Sequence, residues 1–269
     1  MIKIEKVRTY GWEPALRGMR NPKNSWNRSD TTYDVELFDD GGGHLYPIES
    51  AIIGPNDLKL AMTLANAGPE HGKFLRMIHC YADITAPLYW WKEFDTYKVG
   101  TTANSCSTMH KIMAKPFALE DFSHEHLCNF MEACNLMDSL NPMDILNNES
   151  LNLDVSINQN KSNILSPLFV LVKAIDALNQ YRNLYLRVMN ASDIDEIKKN
   201  KFLKKIWWQV IQLLPSSYNQ MRTVDMNYAV LRNIYHQRQF HKQDEWRETF
   251  CKEFIPQLPY SELITGEEK

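Results

Sequence analysis

The sequence lacks the cysteine and glycine patterns that mark several classes of protein. Its five cysteines form no Cys-x-x-Cys pair, and their odd number argues against a disulfide framework or a structural zinc site. Reduced thiols are typical of proteins in a reducing compartment, so the sequence predicts a cytoplasmic protein. No Gly-x-Gly-x-x-Gly occurs, and no Gly-Lys-Ser/Thr follows the three consecutive glycines, which excludes the usual phosphate-binding loops.

Charge and hydrophobicity argue against two kinds of partner. The 269 residues have a formal net charge of −3, so the basic excess of a general nucleic-acid-binding protein is missing. A local basic pocket for one phosphate remains possible. No apolar run approaches the length of a membrane span, and the N-terminal residues have no apolar signal-peptide core. We therefore expect neither a nucleic-acid polymer nor a membrane as a partner.

Common catalytic motifs are missing as well. There is no Gly-x-Ser-x-Gly nucleophile motif and no His-Glu-x-x-His metal motif. Two histidine pairs have spacings of two and five residues, which do not place both rings on one helix face: His124 with His126, and His236 with His241. We predict no metal site, and packing or surface roles for these four histidines.

Hydrophobic periodicity predicts an α+β fold. Period-two alternation favours strands at 2–10 and 33–38, and an apolar, aromatic-rich run favours a strand at 74–85. A helix is expected to begin after Gly54, with Asn56 or Asp57 as its N-cap. Further helices are predicted at 87–97, 119–139, 164–190, 192–213 and 244–254, and from Thr223 onward. We expect one domain over residues 1–269, with a polar surface insertion at about 141–162.

The segment 215–238 contains an apolar stripe with polar ends. Asn227, Leu231, Ile234 and Arg238 recur at helical spacing. A helix that buries an amide and a guanidinium must supply partners for them, because unpaired buried polar groups are costly. A phosphate or the edge of a flavin would serve, whereas the alternative is that both ends of the stripe reach water. Spacing alone favours the alternative.

Two blocks of sequence, Pro87–Met109 and Pro215–Trp246, together resemble the flavin-dependent thymidylate synthase family. In the first block, Ala86-Pro87 and Lys92-Glu93-Phe94 are similar to the lead-in of the family signature. The signature itself reads Arg-His-Arg-x-x-Ser-x-Asn-Glu-x-Ser-x-Arg, and its second half resembles the segment Thr102-x-Asn104-Ser105-x-Ser107-x-Met109.

The second block matches the family's spacing without a gap as far as Arg238, and Glu245-Trp246 follows with one residue extra. Leu214-Pro215 resembles the family's Leu-Pro turn. Asn227, Asn233 and Arg238 then fall at the positions of the helix motif Asn-x-Arg-x-x-x-Asn and of the arginine beyond it. The fold that this resemblance implies is α+β, with an antiparallel sheet flanked by long helices and a helix-rich C-terminal half.

Several arginines of the family pattern are replaced in this chain. The Arg-His-Arg trio aligns with Tyr97-Lys98-Val99, or one residue earlier, and the first arginine of the helix motif is Ala229. Lysine lacks the bidentate fork with which arginine holds a phosphate. The cations left for such contacts are Arg76, Lys92, Lys98 and Arg238.

The resemblance also implies a reaction and its cofactors. Members of the family bind FAD and dUMP between the subunits of a homotetramer. They take a methylene group from methylenetetrahydrofolate and reduce it with flavin hydride derived from NADPH. The implied activity is therefore reductive methylation of dUMP, or of a related pyrimidine nucleotide, at C5. No protein nucleophile is needed, because the cofactors supply the chemistry.

The same resemblance assigns roles to ten residues of this chain. It implies Arg238 and Ser107 as catalytic residues that also bind the nucleotide, and Glu93 and Ser105 as further nucleotide-binding residues. The segment from His71 to Arg76 resembles the family's Pro-Phe-Glu-His flavin segment in either of two registers. The resemblance thus implies flavin contacts for His71, Arg76, Lys98, Asn104, Asn227 and Asn233. The alternative for each is structural. The asparagines would cap or bridge helices, Ser107 would be a loop hydroxyl, and Glu93 would pair with Lys92 or a neighbouring helix.

Two other functional interpretations remain open at this point. One is a protein of the same fold that has lost catalysis and serves as a nucleotide-binding or assembly module, since the Arg-His-Arg trio is altered. The other is an unrelated α+β protein whose motif spacing matches by coincidence.

Overall fold

The computed structural model describes residues 2–39, 43, 45–139, 165–192 and 195–267. The predicted insertion at about 141–162 lies outside the described residues. The chain separates into two compact units, which we describe individually: unit 1 comprises residues 1–106 and 220–269, and unit 2 comprises residues 107–219. The single-domain organisation stays a prediction.

Antiparallel β-structure forms the centre of unit 1. Its strands are, in chain order, β1 (Lys3–Tyr10), β2 (Thr32–Asp39), β3 (Leu45–Ile52), β4 (His79–Pro87), β5 (Thr101–Ser105) and β6 (Asn219–Asn227). Four of them form a sheet in the order β1-β4-β6-β5, with antiparallel pairing of β1 with β4 and of β5 with β6. Strands β2 and β3 form a separate antiparallel pair.

The helices that accompany these strands follow amphipathic patterns. In chain order they are α1 (Trp12–Arg20), α2 (Pro55–Asn66), α3 (Leu88–Phe94), α4 (Thr108–Lys111), α5 (Phe130–Ser139), α6 (Pro167–Met189), α7 (Glu196–Leu213), α8 (Tyr228–Arg238) and α9 (Glu262–Thr265). A π-helix spans Glu245–Phe254, and a 3-10 turn spans Gly72–Arg76. None of the described helices is both long and apolar enough to cross a membrane.

Each unit has its own hydrophobic core. The core of unit 1 contains large aromatic side chains that are fully buried, among them Trp90, Trp91, Trp246 and Tyr228. Trp90 stacks on Trp246 with ring centroids 4.4 Å apart, which joins α3 to the π-helix. In unit 2, the two long helices α6 and α7 pack around a smaller apolar cluster that includes Leu178. The predicted α+β class and helix-rich C-terminal half are confirmed.

The chain leaves unit 1 after Cys106 and returns to it at Gln220, and these two residues are hydrogen-bonded neighbours. The Cys106 N–H donates to the Met221 carbonyl at 2.9 Å, and the Gln220 side-chain amide donates to the Cys106 carbonyl at 2.9 Å. In the sequence, therefore, all of unit 2 comes between strands β5 and β6, which pair with each other in unit 1.

Two helix predictions are wrong in their extent. The residues from Thr223 to Asn227 belong to strand β6, in which Val224 and Met226 are fully buried and Thr223 faces solvent. Alternation of this kind has the period of a strand, whereas Val224 also fits the helical stripe that continues through Tyr228. In the predicted helix 119–139, only a 3-10 turn at Leu119–Asp121 and helix α5 are helical.

Asp57 is a buried carboxylate and not the N-cap of α2. The helix begins after Gly54, and the carboxylate of Asp30 accepts hydrogen bonds from the backbone N–H groups of Asn56 and Asp57 at 2.9 and 3.0 Å. The Asp57 side chain is fully buried and pairs with Arg20, whose Nε lies 2.5 Å from Oδ1. An Asp57 carboxylate without partners would be costly at this depth.

Hydroxyl groups complete the coordination of the Asp57 carboxylate. Its Oδ2 accepts hydrogen bonds from Ser29 Oγ at 2.5 Å and from Thr31 Oγ1 at 2.6 Å. Burial raises the pKa of Asp57, but the hydrogen bonds from Ser29, Thr31 and Arg20 outweigh burial, and the pKa lies below its usual value. This cluster ties α1 and the segment before β2 to the start of α2.

We expect Asp57→Ala to lower the free energy of unfolding by about 3–5 kcal/mol, because it leaves the buried Arg20 charge without a partner. Urea denaturation measures the change. The wild-type contribution should persist above the unfolded-state pKa of about 3.9 and disappear as the pH falls through the lower folded-state pKa. Asp95→Ala is the control, because Asp95 is 53% exposed in its pair with Arg222 and should cost no more than about 1 kcal/mol. Equal losses of unfolding free energy in the two variants would contradict the role of Asp57 as the partner of a buried charge.

Candidate functional site

Asn227 lies where strand β6 ends and helix α8 begins. Its side-chain Oδ1 accepts a hydrogen bond from the Val230 N–H at 2.9 Å, which is a helix N-cap contact. Its backbone N–H donates to the Gly100 carbonyl at 3.0 Å. Asn227 is 8% exposed, and no partner of its Nδ2 group occurs among the described residues. The cap contact therefore leaves the amide donors available.

Gly100 allows the two motif blocks to meet at Asn227. Its φ angle of +88° lies in the left-handed region that glycine adopts without strain. A Cβ atom at this position would lie 2.6 Å from Asn227 Nδ2. The absence of a side chain thus lets the loop after Lys98 pack directly against the start of α8.

A cavity of about 490 Å³ opens beside this contact. It is lined by the end of α2, by the 3-10 turn and by α8. Its polar lining residues are Asn66, Arg76, Asn227, Arg232, Asn233 and His236. No aspartate or glutamate is among the described residues that line it, and two of the six are arginines. The cavity therefore favours an anionic or strongly polar ligand.

A chain of hydrogen bonds leads from this cavity to an ion pair. Asn233 Oδ1 accepts from Gln237 Nε2 at 2.9 Å, and Gln237 Oε1 accepts from the Tyr97 hydroxyl at 3.0 Å. That hydroxyl accepts from Arg238 Nε at 2.7 Å. Arg238 Nη2 in turn lies 2.6 Å from Glu93 Oε1. The chain joins Asn233, which lines the cavity, to Arg238 and Glu93.

The surroundings of Arg238 are aromatic. Its guanidinium lies 5.5 Å from the centroid of the Tyr97 ring and 5.6 Å from that of Trp246, which are cation–π distances. Burial raises the pKa of Tyr97, although Arg238 opposes the shift. The hydroxyl therefore keeps its proton at neutral pH and can donate to Gln237 while it accepts from Arg238. Burial likewise raises the pKa of Cys251 to about 12, so this thiol is not a thiolate at neutral pH.

The structure brings together five of the ten residues that the resemblance singled out. Arg76, Asn227 and Asn233 line the cavity, and Glu93 and Arg238 form the ion pair at the other end of the hydrogen-bond chain. The structural alternatives also apply to two of them, since Asn227 caps α8 and Glu93 pairs with a neighbouring helix.

The other five residues are not part of this arrangement. His71 and Lys98 are exposed neighbours of the lining residues Gly72 and Val99. Asn104 and Ser105 are exposed on β5, opposite Thr223 and Arg222 of β6. Ser107 belongs to unit 2, where its Oγ accepts a hydrogen bond from the His110 N–H at 3.2 Å and caps α4.

Sequence reasoning missed four polar residues of the site, namely Asn66, Arg232, His236 and Gln237. Three of them lie on α8, and their spacing contains a usable signal. Arg232 and His236 are four residues apart, as are Asn233 and Gln237, so each pair shares a helix face. The sequence therefore contains both pairs as helical i, i+4 neighbours on α8.

Comparison with known proteins shows the fold. No protein-family model and no curated protein matches the sequence. Two solved structures of the flavin-dependent thymidylate synthase ThyX from Helicobacter pylori, both with FAD and dUMP, match with TM-scores of 0.53. They are 13% and 15% identical to this chain; each match covers 98% of this chain, and 98% and 100% of the respective structures.

A third solved structure is similar as well. The UMP/dUMP methylase PolB from Streptomyces cacaoi, bound with 5-Br dUMP, matches with a TM-score of 0.51 and 12% identity. The match covers 95% of this chain and 89% of PolB. These likenesses confirm the fold that the sequence resemblance implied.

We expect Gly100→Ala to lower the free energy of unfolding by about 1–3 kcal/mol, because alanine is strained at positive φ and its Cβ would collide with Asn227. Gly18→Ala is the matched control. Gly18 lies within α1, where the nearest atom to an added Cβ is 3.7 Å away, and alanine should stabilise this helix by about 0.5–1 kcal/mol. Urea denaturation of both variants tests the expected opposite signs, and a neutral Gly100→Ala would refute the packing argument.

Proposed function

We propose that this chain binds FAD and a pyrimidine nucleotide, and that it methylates the nucleotide at C5 as a flavin-dependent thymidylate synthase does. The carrying observation is the hydrogen-bond chain from Asn233 to Arg238 and Glu93. It connects a polar, cation-lined cavity to an ion pair, and the motif resemblance assigns flavin contacts to the first and nucleotide contacts to the second. The dUMP and 5-Br dUMP bound to the structural neighbours support the choice of ligand.

The cavity suits the flavin in size and chemistry. Small-molecule and cofactor sites have volumes of about 300–1,000 Å³ and place a few polar groups on a largely apolar wall. Arg76 and Arg232 offer charge for phosphate groups, and the Asn227 amide can donate to a carbonyl oxygen of a ring. When bound, FAD would supply the hydride for the reduction, and NADPH is the proposed source of that hydride.

Arg238 and Glu93 are suited to hold the nucleotide. Arginine has five N–H donors, and Arg238 uses Nε for Tyr97 and Nη2 for Glu93, which leaves further donors for a ligand. The Glu93 carboxylate is 35% exposed and can accept a hydrogen bond from a base N–H group. The hydrogen-bond chain fixes both side chains before the ligand arrives, which lowers the ordering cost of binding.

The chemistry requires no nucleophile from this region. Cys251, whose thiol is buried near Arg238, has a raised pKa and stays protonated. Side chains of the chain would therefore orient the reactants and exclude water, and would not bond to them. Methylenetetrahydrofolate as carbon donor, a homotetrameric assembly with sites between subunits, and a role for Ser107 at the nucleotide belong to the same proposal.

A second candidate is a nucleotide-binding module without catalysis. It is favoured by the ion pair itself, because Glu93 partly neutralises Arg238, and by the loss of the Arg-His-Arg trio around Tyr97. In this case the ligand-binding groups persist while the reaction does not occur.

The visible spectrum and a tritium-release assay distinguish the two functions. We expect the purified protein to take up FAD, seen as flavin absorbance that stays with the protein on gel filtration. With methylenetetrahydrofolate and NADPH, it should release tritium from 5-tritiated dUMP. Nucleotide binding without tritium release, tested also with dCMP, would favour the second candidate. Failure to bind any flavin would refute the proposed function.

Arg238→Leu should lower kcat/KM for the nucleotide by about 10- to 100-fold, because charge-assisted hydrogen bonds contribute about 1.5–3 kcal/mol. The matched control is Arg247→Leu. Arg247 lies on the π-helix and pairs there with Glu248 and, at the helix N-terminus, with Asp244; neither partner belongs to the hydrogen-bond chain. Similar losses in the two variants, or unchanged kinetics in Arg238→Leu, would contradict the assignment of Arg238.

A further inference from the structure

Arg232 is a cation of the cavity that no motif singles out. It lies on α8, is partly buried, and shares the cavity wall with Asn233 and His236. Among the described residues it has no carboxylate partner. Its Nη1 donates to the Leu263 carbonyl at 2.9 Å, and its Nη2 donates to Asn66 Oδ1 at 2.8 Å. Both acceptors are neutral, so the charge of Arg232 is not compensated by them.

The geometry points to a phosphate ligand for this charge. We infer that Arg232 is the fixed cation that contacts a phosphate group of the ligand in the cavity, and in FAD this group is the pyrophosphate. Arginine has five N–H donors, and two of those on Arg232 are used, so the others remain for an anion. The identity of the ligand rests on the proposed function, whereas the phosphate contact does not.

The surroundings of Arg232 are built to hold it in place. Asn66 ends α2 and lines the cavity, and Leu263 is a fully buried residue of α9. A Cβ atom on Gly266, whose φ is +81°, would lie 3.3 Å from Arg232 Nη2. The guanidinium is thus oriented by α2 and by α9 with its C-terminal glycine, and a preorganised cation binds a phosphate with little loss of side-chain entropy.

The electrostatic environment favours an anion at this point. Burial lowers the pKa of Arg232, and burial together with Arg232 lowers that of His236, so burial penalises positive charge here and an anion would offset that penalty. Arg76 lines the same cavity, and no acidic side chain is among its described lining residues. Ala229 also lines this wall, three residues before Arg232 on α8.

Calorimetric titration with three ligands distinguishes binding through the phosphates from binding through the flavin ring. The ligands are FAD, riboflavin, which lacks phosphate, and inorganic pyrophosphate, which lacks the ring. We expect Arg232→Leu to weaken FAD and pyrophosphate by about 10- to 100-fold, the range of a lost charge-assisted contact, and to leave riboflavin within about twofold. Arg232→Lys should lie between wild type and Arg232→Leu, because lysine keeps the charge without the fork. Arg247→Leu is the matched control and should bind all three ligands as wild type does.

Asn66→Asp tests the charge without removing the arginine. It places a carboxylate at hydrogen-bond distance from Arg232 and should weaken FAD and pyrophosphate as Arg232→Leu does, with an unchanged or higher Tm. Because Asn66 lines the cavity, its new carboxylate would repel an anion in either case. A purely structural role of Arg232 in joining α2, α8 and α9 therefore predicts instead that Arg232→Lys binds pyrophosphate as wild type does. If Arg232→Leu fails to fold, Arg232→Lys decides the question.

The outcomes distinguish this inference from the proposed function. Unchanged FAD and pyrophosphate binding in Asn66→Asp and Arg232→Lys would overturn the phosphate contact while the flavin proposal stands. Wild-type binding of pyrophosphate through Arg232, without binding of FAD, would uphold the contact and refute the flavin proposal. If the wild-type protein binds neither FAD nor pyrophosphate, both the phosphate contact and the flavin proposal are refuted.

Discussion

The ion pair between Arg238 and Glu93 is the constraint on which the candidate site depends. A guanidinium that is only 16% exposed and packed against two aromatic rings needs a negative partner, because an uncompensated charge at that depth is strongly destabilising. Glu93 supplies it from α3, and the pair thereby fixes α8 against the first motif block. Tyr97 and Gln237 extend the same contact to Asn233, so the position of the cavity wall follows from the position of one arginine.

Local patterns in the sequence were enough to predict much of the fold. Alternation located β1 and β2, helical periodicity located α6, and the family resemblance selected three residues that line one cavity. The start of α8 was misplaced, because Val224 satisfies a strand period and a helix period at once. Only the pairing of β6 with β5, a contact between residues far apart in sequence, decides between the two.

The parts of the structure that sequence patterns missed depend on contacts over long sequence separations. Arg232 is held by Asn66 and Leu263, and Asp57 is held by Arg20, Ser29 and Thr31. No periodicity indicates that such groups will meet, since the partners come from different elements and are polar residues in otherwise unremarkable positions. The motif resemblance identified Glu93 and Arg238 separately, but it did not reveal that they pair with each other.

The neighbouring ends of β5 and β6 have a consequence for how this chain can vary. Because Cys106 is hydrogen-bonded to Met221 and to Gln220, the chain leaves and re-enters unit 1 at one point, as it would through a hairpin turn. The entropic cost of closing a loop grows only with the logarithm of the loop's length. A longer or shorter unit 2 therefore changes the stability of unit 1 little. Mutation can therefore lengthen, shorten or replace unit 2 while the cavity in unit 1 and its arginines keep their geometry.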